Sequence, residues 1–182
     1  IPQNHKVILL SGTLCDEHYS LEFINHFISY KSSSDYTLVI HGWANNNAIS
    51  QKINKLVKEN INVVFSDFFF DWNKKHIIYQ SVDIGLIGFS KDTLNHRFAG
   101  WSSGKMFDFM RHGVPILAFD GIGMKEIIEK NRIGKTFNNQ DSFDKGITTI
   151  LEDYEQLRLN ALEVFSKYEF KRNFKELELF NH

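Results

Sequence analysis

Ser102-Ser103-Gly104-Lys105-Met106-Phe107-Asp108-Phe109-Met110-Arg111-His112-Gly113-Val114-Pro115-Ile116-Leu117 is the stretch whose reading decides the fold. A serine at its head can cap a helix, because its oxygen accepts from the otherwise unpaired amides of the first turn. Met106, Phe109 and Met110 recur at helical spacing on one face, while Lys105, Asp108 and Arg111 or His112 share another. Gly113 stands where a helix needs a left-handed residue to end, and Pro115 keeps it from resuming. The apolar run Val114 to Phe119 then suits a strand covered on both faces of a parallel sheet. A helix that opens with small residues and a lysine offers free amides and a cation to an anionic ligand. The plain alternative is a surface helix in which Lys105 and Asp108 form a weak salt pair three residues apart.

Outward from this stretch, apolar runs and helical periodicities alternate along the chain. Strands are expected over Lys6–Ser11, Tyr36–Ile40, Ile61–Phe65, Val82–Gly88, Val114–Phe119 and Gly134–Phe137. The first ends in the tight loop Ser11-Gly12-Thr13, and the second stops at His41-Gly42. Between them, helices are expected over His18–Tyr30, Asn47–Glu59, Trp72–Gln80, Met124–Lys130 and Ser142–Leu151. A final helix runs from Tyr154 to Leu179, bent near Tyr168. The alternation predicts an α/β domain with a Rossmann-like, doubly wound parallel sheet of about six strands in the order 3-2-1-4-5-6. In that order strands one and four are neighbours whose connections leave in opposite directions, which opens a crevice at their carboxyl ends. The loops around Gly12 and Thr13, the turn from Gly88 to Lys91, and the helix start from Ser102 to Lys105 all meet there.

The chain has 182 residues, and one domain spanning 1–182 is expected. A formal net charge of -1 gives no sign of a nucleic-acid binder. The lone Cys15 excludes an intrachain disulfide and a cysteine-built zinc site, and the 8 histidines have no paired spacing, so no metal is expected. No stretch approaches a transmembrane span. The opening Ile1-Pro2, without Met, is expected of a fragment or a processed product.

The pattern Ser102-x-x-Lys105-x-x-Asp108-Phe109-Met110-x-x-Gly113-x-Pro115, followed by an apolar strand, resembles the donor-site helix of nucleotide-sugar glycosyltransferases of the two-Rossmann GT-B architecture. It is most similar to the retaining, family-4-like branch. The resemblance extends to the closing helices, Asn160 to Phe174, and covers nearly the whole chain as the C-terminal half of a longer enzyme. It implies that an N-terminal acceptor domain is absent and that this half alone is inactive. The parent enzyme would move a sugar from a nucleoside-diphosphate sugar to a glycan or lipid-linked acceptor in bacterial surface polysaccharide synthesis. Its place would be the cytoplasm, free or peripheral at the inner membrane face. No cofactor and no bound metal are implied; the partner is the nucleotide-sugar donor.

By the same resemblance, Gly12, Thr13, Ser102, Ser103, Gly104 and Lys105 are the candidates to hold the diphosphate, and Asp108 the ribose hydroxyls. A carboxylate suits a vicinal diol because its two oxygens can each accept a hydrogen bond. Phe68 and Phe70 are candidates to stack on the base, and as apolar residues they suit the core equally. His41, Gly42 and Trp43 are weaker candidates. The chain departs from the family twice. Thr13-Leu14-Cys15-Asp16-Glu17-His18 stands where many members carry Arg and Lys, and Gly100 stands where a first acid is usual. Asn95, His96 and Arg97 are the candidates to replace the lost groups, though surface-loop residues would read the same. No catalytic residue is assigned. Two other readings stay open: a nucleotide-sugar 2-epimerase of the same architecture, and a non-enzymatic nucleotide-binding or receiver-like module using Asp16, Glu17 and Asp67.

Overall fold

Strand alternation sends successive side chains to opposite faces, and a sheet apolar on both faces needs helices on each. The chain meets this demand with two separate cores. The computed structural model describes residues 1–68, 74–90, 100 and 102–168. Its strands are β1 (Lys6–Leu14), β2 (Tyr36–Ala44), β3 (Val63–Ser66), β4 (Ile84–Ile87), β5 (Ile116–Phe119) and β6 (Gly134–Phe137). All pair in parallel, in the order β3-β2-β1-β4-β5-β6. This is the doubly wound order expected from the sequence. It differs from the 2-1-3-4-5 order of receiver domains, and so removes the receiver alternative.

The helices are α1 (Ser20–Ser29), α2 (Asn47–Glu59), α3 (Lys75–Gln80), α4 (Gly104–Arg111), α5 (Met124–Ile128), α6 (Gln140–Glu152) and α7 (Tyr154–Lys167). Ile8 and Leu10 of β1 face a core shared with α1, α2 and α6, built on Phe23, Phe27, Ile53, Phe143 and Ile147. Leu9, one step out of phase, faces the other core, with Met106, Phe109 and Met110 of α4, Ile127 of α5, and Ala161 and Val164 of α7. The two helix layers follow from this one-residue alternation.

The organising helix forms and ends as its residues dictate. Ser103 Oγ accepts from the Met106 amide at 3.3 Å. Gly113 has φ +65°, and the Gly113 and Val114 amides donate back to Met110 and Phe109 carbonyls at 3.1 and 2.9 Å. Gly85 of β4 makes room for the buried Phe109 ring, which lies within 2.6 Å of where a Cβ would be.

Several strand ends depart from expectation. β1 and β2 do not stop at Ser11 and Ile40; they pair on through Gly12↔Gly42, Thr13↔Trp43 and Leu14↔Ala44. Glycines look like strand stops, but here each faces the other, with φ +97° at Gly12 and +155° at Gly42, and the ladder continues through them. β4 and β5 are shorter than their apolar runs. Before β4, Val82 is buried and Asp83 anchors the approach by accepting from Lys6 Nζ and the Val7 amide. Residues 69–73, 91–99 and 101, and the expected last turns beyond Tyr168, lie outside the described residues.

Candidate functional site

The carboxyl ends of β1 and β2, with α3 and α4 above them, enclose a cavity of about 470 Å³. Ser11 and Gly12 come from β1, His41, Gly42 and Trp43 from β2, and Asp67 and Phe68 from beyond β3. Lys75, Ile78 and Tyr79 are supplied by α3, and Gly104, Lys105 and Asp108 by α4. The cavity thus sits on the β1–β2 side of the switch point. The turn after β4 does not line the cavity: Gly88 packs against Phe23, and the Ser90 amide donates to the Glu17 carbonyl at 2.7 Å.

Lys105 crosses the cavity floor. Its side chain lies over Gly12, 3.5–3.7 Å from where a Cβ would stand, so a side chain at position 12 would compete with it for space. Its ammonium is 5.8 Å from the centroid of the Phe89 ring. Among the described residues no carboxylate pairs with it. Burial pushes its pKa down to about 8, with the Cys15 sulfur acting weakly in the opposite direction. A half-buried cation with no carboxylate partner among the described residues suits an anion.

The salt pair expected between Lys105 and Asp108 is not formed. Lys75 Nζ, from the first residue of α3, donates instead to Asp108 Oδ2. The reason is direction: Lys105 runs along the sheet towards Gly12, whereas Asp108, one turn on, faces α3. The backbone carbonyl of Asp108 accepts from His112 Nδ1 at 2.7 Å. His112 stacks on the Tyr79 ring, with centroids 5.5 Å apart and planes at 16°. The Tyr79 hydroxyl lies 3.4 Å from Ser11 Oγ, and burial, helped by the nearby Asp108 charge, pushes its pKa up to about 12. Tyr79 therefore stays protonated at any ordinary pH. His41, whose Nδ1 lies 3.3 Å from Ser66 Oγ, is held below the usual histidine range by burial, which outweighs the effect of Ser66. At the mouth Trp43 and Phe68 are 57% and 70% exposed.

Of the candidate residues, Gly12, Phe68, Gly104, Lys105 and Asp108 line the cavity. Ser103 is buried as the helix cap, and Ser102 is exposed beside it. Thr13 lies one residue beyond the lining, paired with Trp43, its carbonyl accepting from His18 Nδ1 at 2.9 Å. Phe70, Lys91, Asn95, His96 and Arg97 lie outside the described residues. Lys75 and Tyr79 were missed as site residues. Their four-residue spacing on one helix face was a signal, but nothing local said that this face meets α4.

No protein-family model matches the sequence, and no curated protein matches it. Solved structures do share the fold. The C-terminal domain of the glycosyl transferase group 1 family protein LpcC from Francisella tularensis aligns with a TM-score of 0.71 and 19% identity, covering 93% of this chain and 89% of that one. The catalytic domain of cholesterol-alpha-glucosyltransferase from Helicobacter pylori aligns at 0.69 and 15% identity, covering 90% and 99%. HepE from Anabaena, solved in complex with UDP-glucose, aligns at 0.69 and 16% identity over 91% of this chain and 44% of its own. This chain thus spans less than half of HepE. At such identities the likeness is one of fold: the Rossmann-like half-domain of GT-B glycosyltransferases, as in their C-terminal domains.

Proposed function

We propose that this chain is the donor-binding domain of a retaining glycosyltransferase, one that transfers a sugar from a nucleoside-diphosphate sugar to a glycan or lipid-linked acceptor. The observation that carries this is Lys105: a lysine in the first turn of α4, laid over Gly12, inside a cavity, without a carboxylate partner among the described residues. Its ammonium and the first amides of α4 suit a diphosphate, which needs cations and N–H donors together. Asp108, one turn further along α4, suits ribose hydroxyls as an acceptor. Phe68 and Trp43 at the mouth suit a base. The UDP-glucose held by HepE, which shares the fold, supports the same ligand class here.

In this reading the domain places the donor and stabilises the charge that builds on the departing diphosphate. An acceptor domain in the same polypeptide completes the enzyme, and the segment alone transfers nothing. Surface polysaccharide assembly is the process that fits, with the parent enzyme working at the inner face of the membrane. Among the described residues no helix is long and apolar enough to cross a membrane. A thermal-shift panel of UDP, GDP, ADP and their sugars tests the reading, since a ligand that binds only the folded state must raise the midpoint. A raised midpoint with one nucleotide family is expected, and no shift with any of them overturns the proposal.

A further inference from the structure

We infer that Lys75 is half of the element that reads the ribose. With Asp108 it forms a donor–acceptor pair that takes two vicinal hydroxyls together, so Lys75 sets the preference of this cavity for ribose over deoxy sugars. The inference rests on the donor-site reading above.

Lys75 and Asp108 belong to separate crossovers. One opens α3 after β3, the other sits within α4 after β4, and their ion pair bridges two walls of the cavity. The side chains keep 31% and 24% of their exposure, so both polar ends stay within reach of a ligand. The pair runs through Oδ2 of Asp108, whose carboxylate also meets the Tyr79 hydroxyl, and the lone pairs of its two oxygens leave room for a further donor. A carboxylate can only accept and an ammonium can only donate, whereas each hydroxyl of a diol does both. One hydroxyl therefore donates to the Asp108 carboxylate while its neighbour accepts from Lys75 Nζ. The Tyr79 ring centroid, 5.6 Å from Nζ, backs the ammonium, and the Tyr79 hydroxyl is anchored on Ser11. The pair is thus held in place before a ligand arrives.

The alternative is a structural brace that joins α3 to α4 and leaves ligand choice alone. The two part on a ratio of affinities. Calorimetry on the 182-residue chain would compare UDP, GDP and ADP, each with its 2′,3′-dideoxy analogue, in wild type, Lys75→Met, Lys75→Arg and Asp108→Asn. Wild type is expected to bind the ribose form roughly tenfold or more tighter than the dideoxy form, as the loss of charge-assisted bonds requires. Lys75→Met should shrink that ratio to within about threefold, as Asp108→Asn should, while Lys75→Arg keeps most of it because the donor is retained. A wild-type ratio surviving in Lys75→Met, including a loss equal for both forms, overturns the inference and leaves the donor site standing. Failure of all three nucleotides to bind wild type overturns the donor-site reading, and this inference with it.

Discussion

Gly12 and Gly42 face each other across β1 and β2 so closely that a Cβ on Gly42 would lie 1.9 Å from the Gly12 carbonyl oxygen. Both have positive φ, yet the two strands stay paired beyond them to Leu14 and Ala44. This contact keeps the cavity floor at backbone level, where the Lys105 stem lies, and carries Trp43 out to the mouth.

Gly42→Ala should therefore destabilise the fold by about 3 kcal/mol or more, since the obstacle is backbone and the added strain cannot relax into a rotamer. Urea denaturation checks this through a lower midpoint at unchanged slope. A loss under about 1 kcal/mol would mean that the strands part easily at this point.

Phe109 is fully buried and presses on Gly85, which ties α4 to β4. Phe109→Ala should cost about 3–5 kcal/mol, the range for removing a buried aromatic ring. It should also weaken nucleotide binding, because Lys105 and Asp108 ride on the same helix. Chemical denaturation and calorimetry on one variant measure both effects.

The fold was legible in the sequence wherever one residue type has one dominant use. The alternation of apolar runs with helical periodicities sufficed for the sheet order. Met106, Phe109, Met110 and Gly113 sufficed for the packing face and end of α4, and the span of α2 was read to the residue. What escaped was set by tertiary contact. Gly12 and Gly42 have the local signature of strand stops, and only their pairing turns them into a crossing point. The partner of Asp108 lies 33 residues away in Lys75, and the i,i+3 rule pointed to Lys105 because it knows only the helix. The part played by Tyr79 was hidden for the same reason.

Lys105 should make both stability and binding depend on pH. Its pKa falls from the ordinary 10.5 to about 8 on folding, so between those values the unfolded chain holds a proton that the native state has released. Stability then rises with pH across that window, and below about 8 the cost of burying the charge is felt in full. Lys105→Met should accordingly stabilise the protein at neutral pH and lose that advantage as pH approaches 10.5. Binding has the opposite sign: affinity for a nucleoside diphosphate should fall as pH rises through about 8, with uptake of roughly half a proton at that pH. Calorimetry in buffers of different ionisation enthalpy measures the uptake. Affinity independent of pH across the range from below to well above about 8 would show that the ammonium does not meet the ligand.

Both helix layers and the sheet are present in this chain, so it should unfold in one cooperative step while transferring no sugar from any donor. Coincident fluorescence and circular-dichroism transitions would support this. Transfer by the 182-residue chain itself would place acceptor recognition within this domain.

The most direct test of the donor-site account is the affinity of Lys105→Ala for the nucleoside diphosphate that wild type binds best among UDP, GDP and ADP. Calorimetry near neutral pH, where Lys105 is protonated, should show a loss of about 1.5–3 kcal/mol, the worth of a charge-assisted bond, with the fold intact. An unchanged affinity in a folded variant would contradict the account, because the one cavity cation without a carboxylate partner among the described residues would then have no part in holding the ligand.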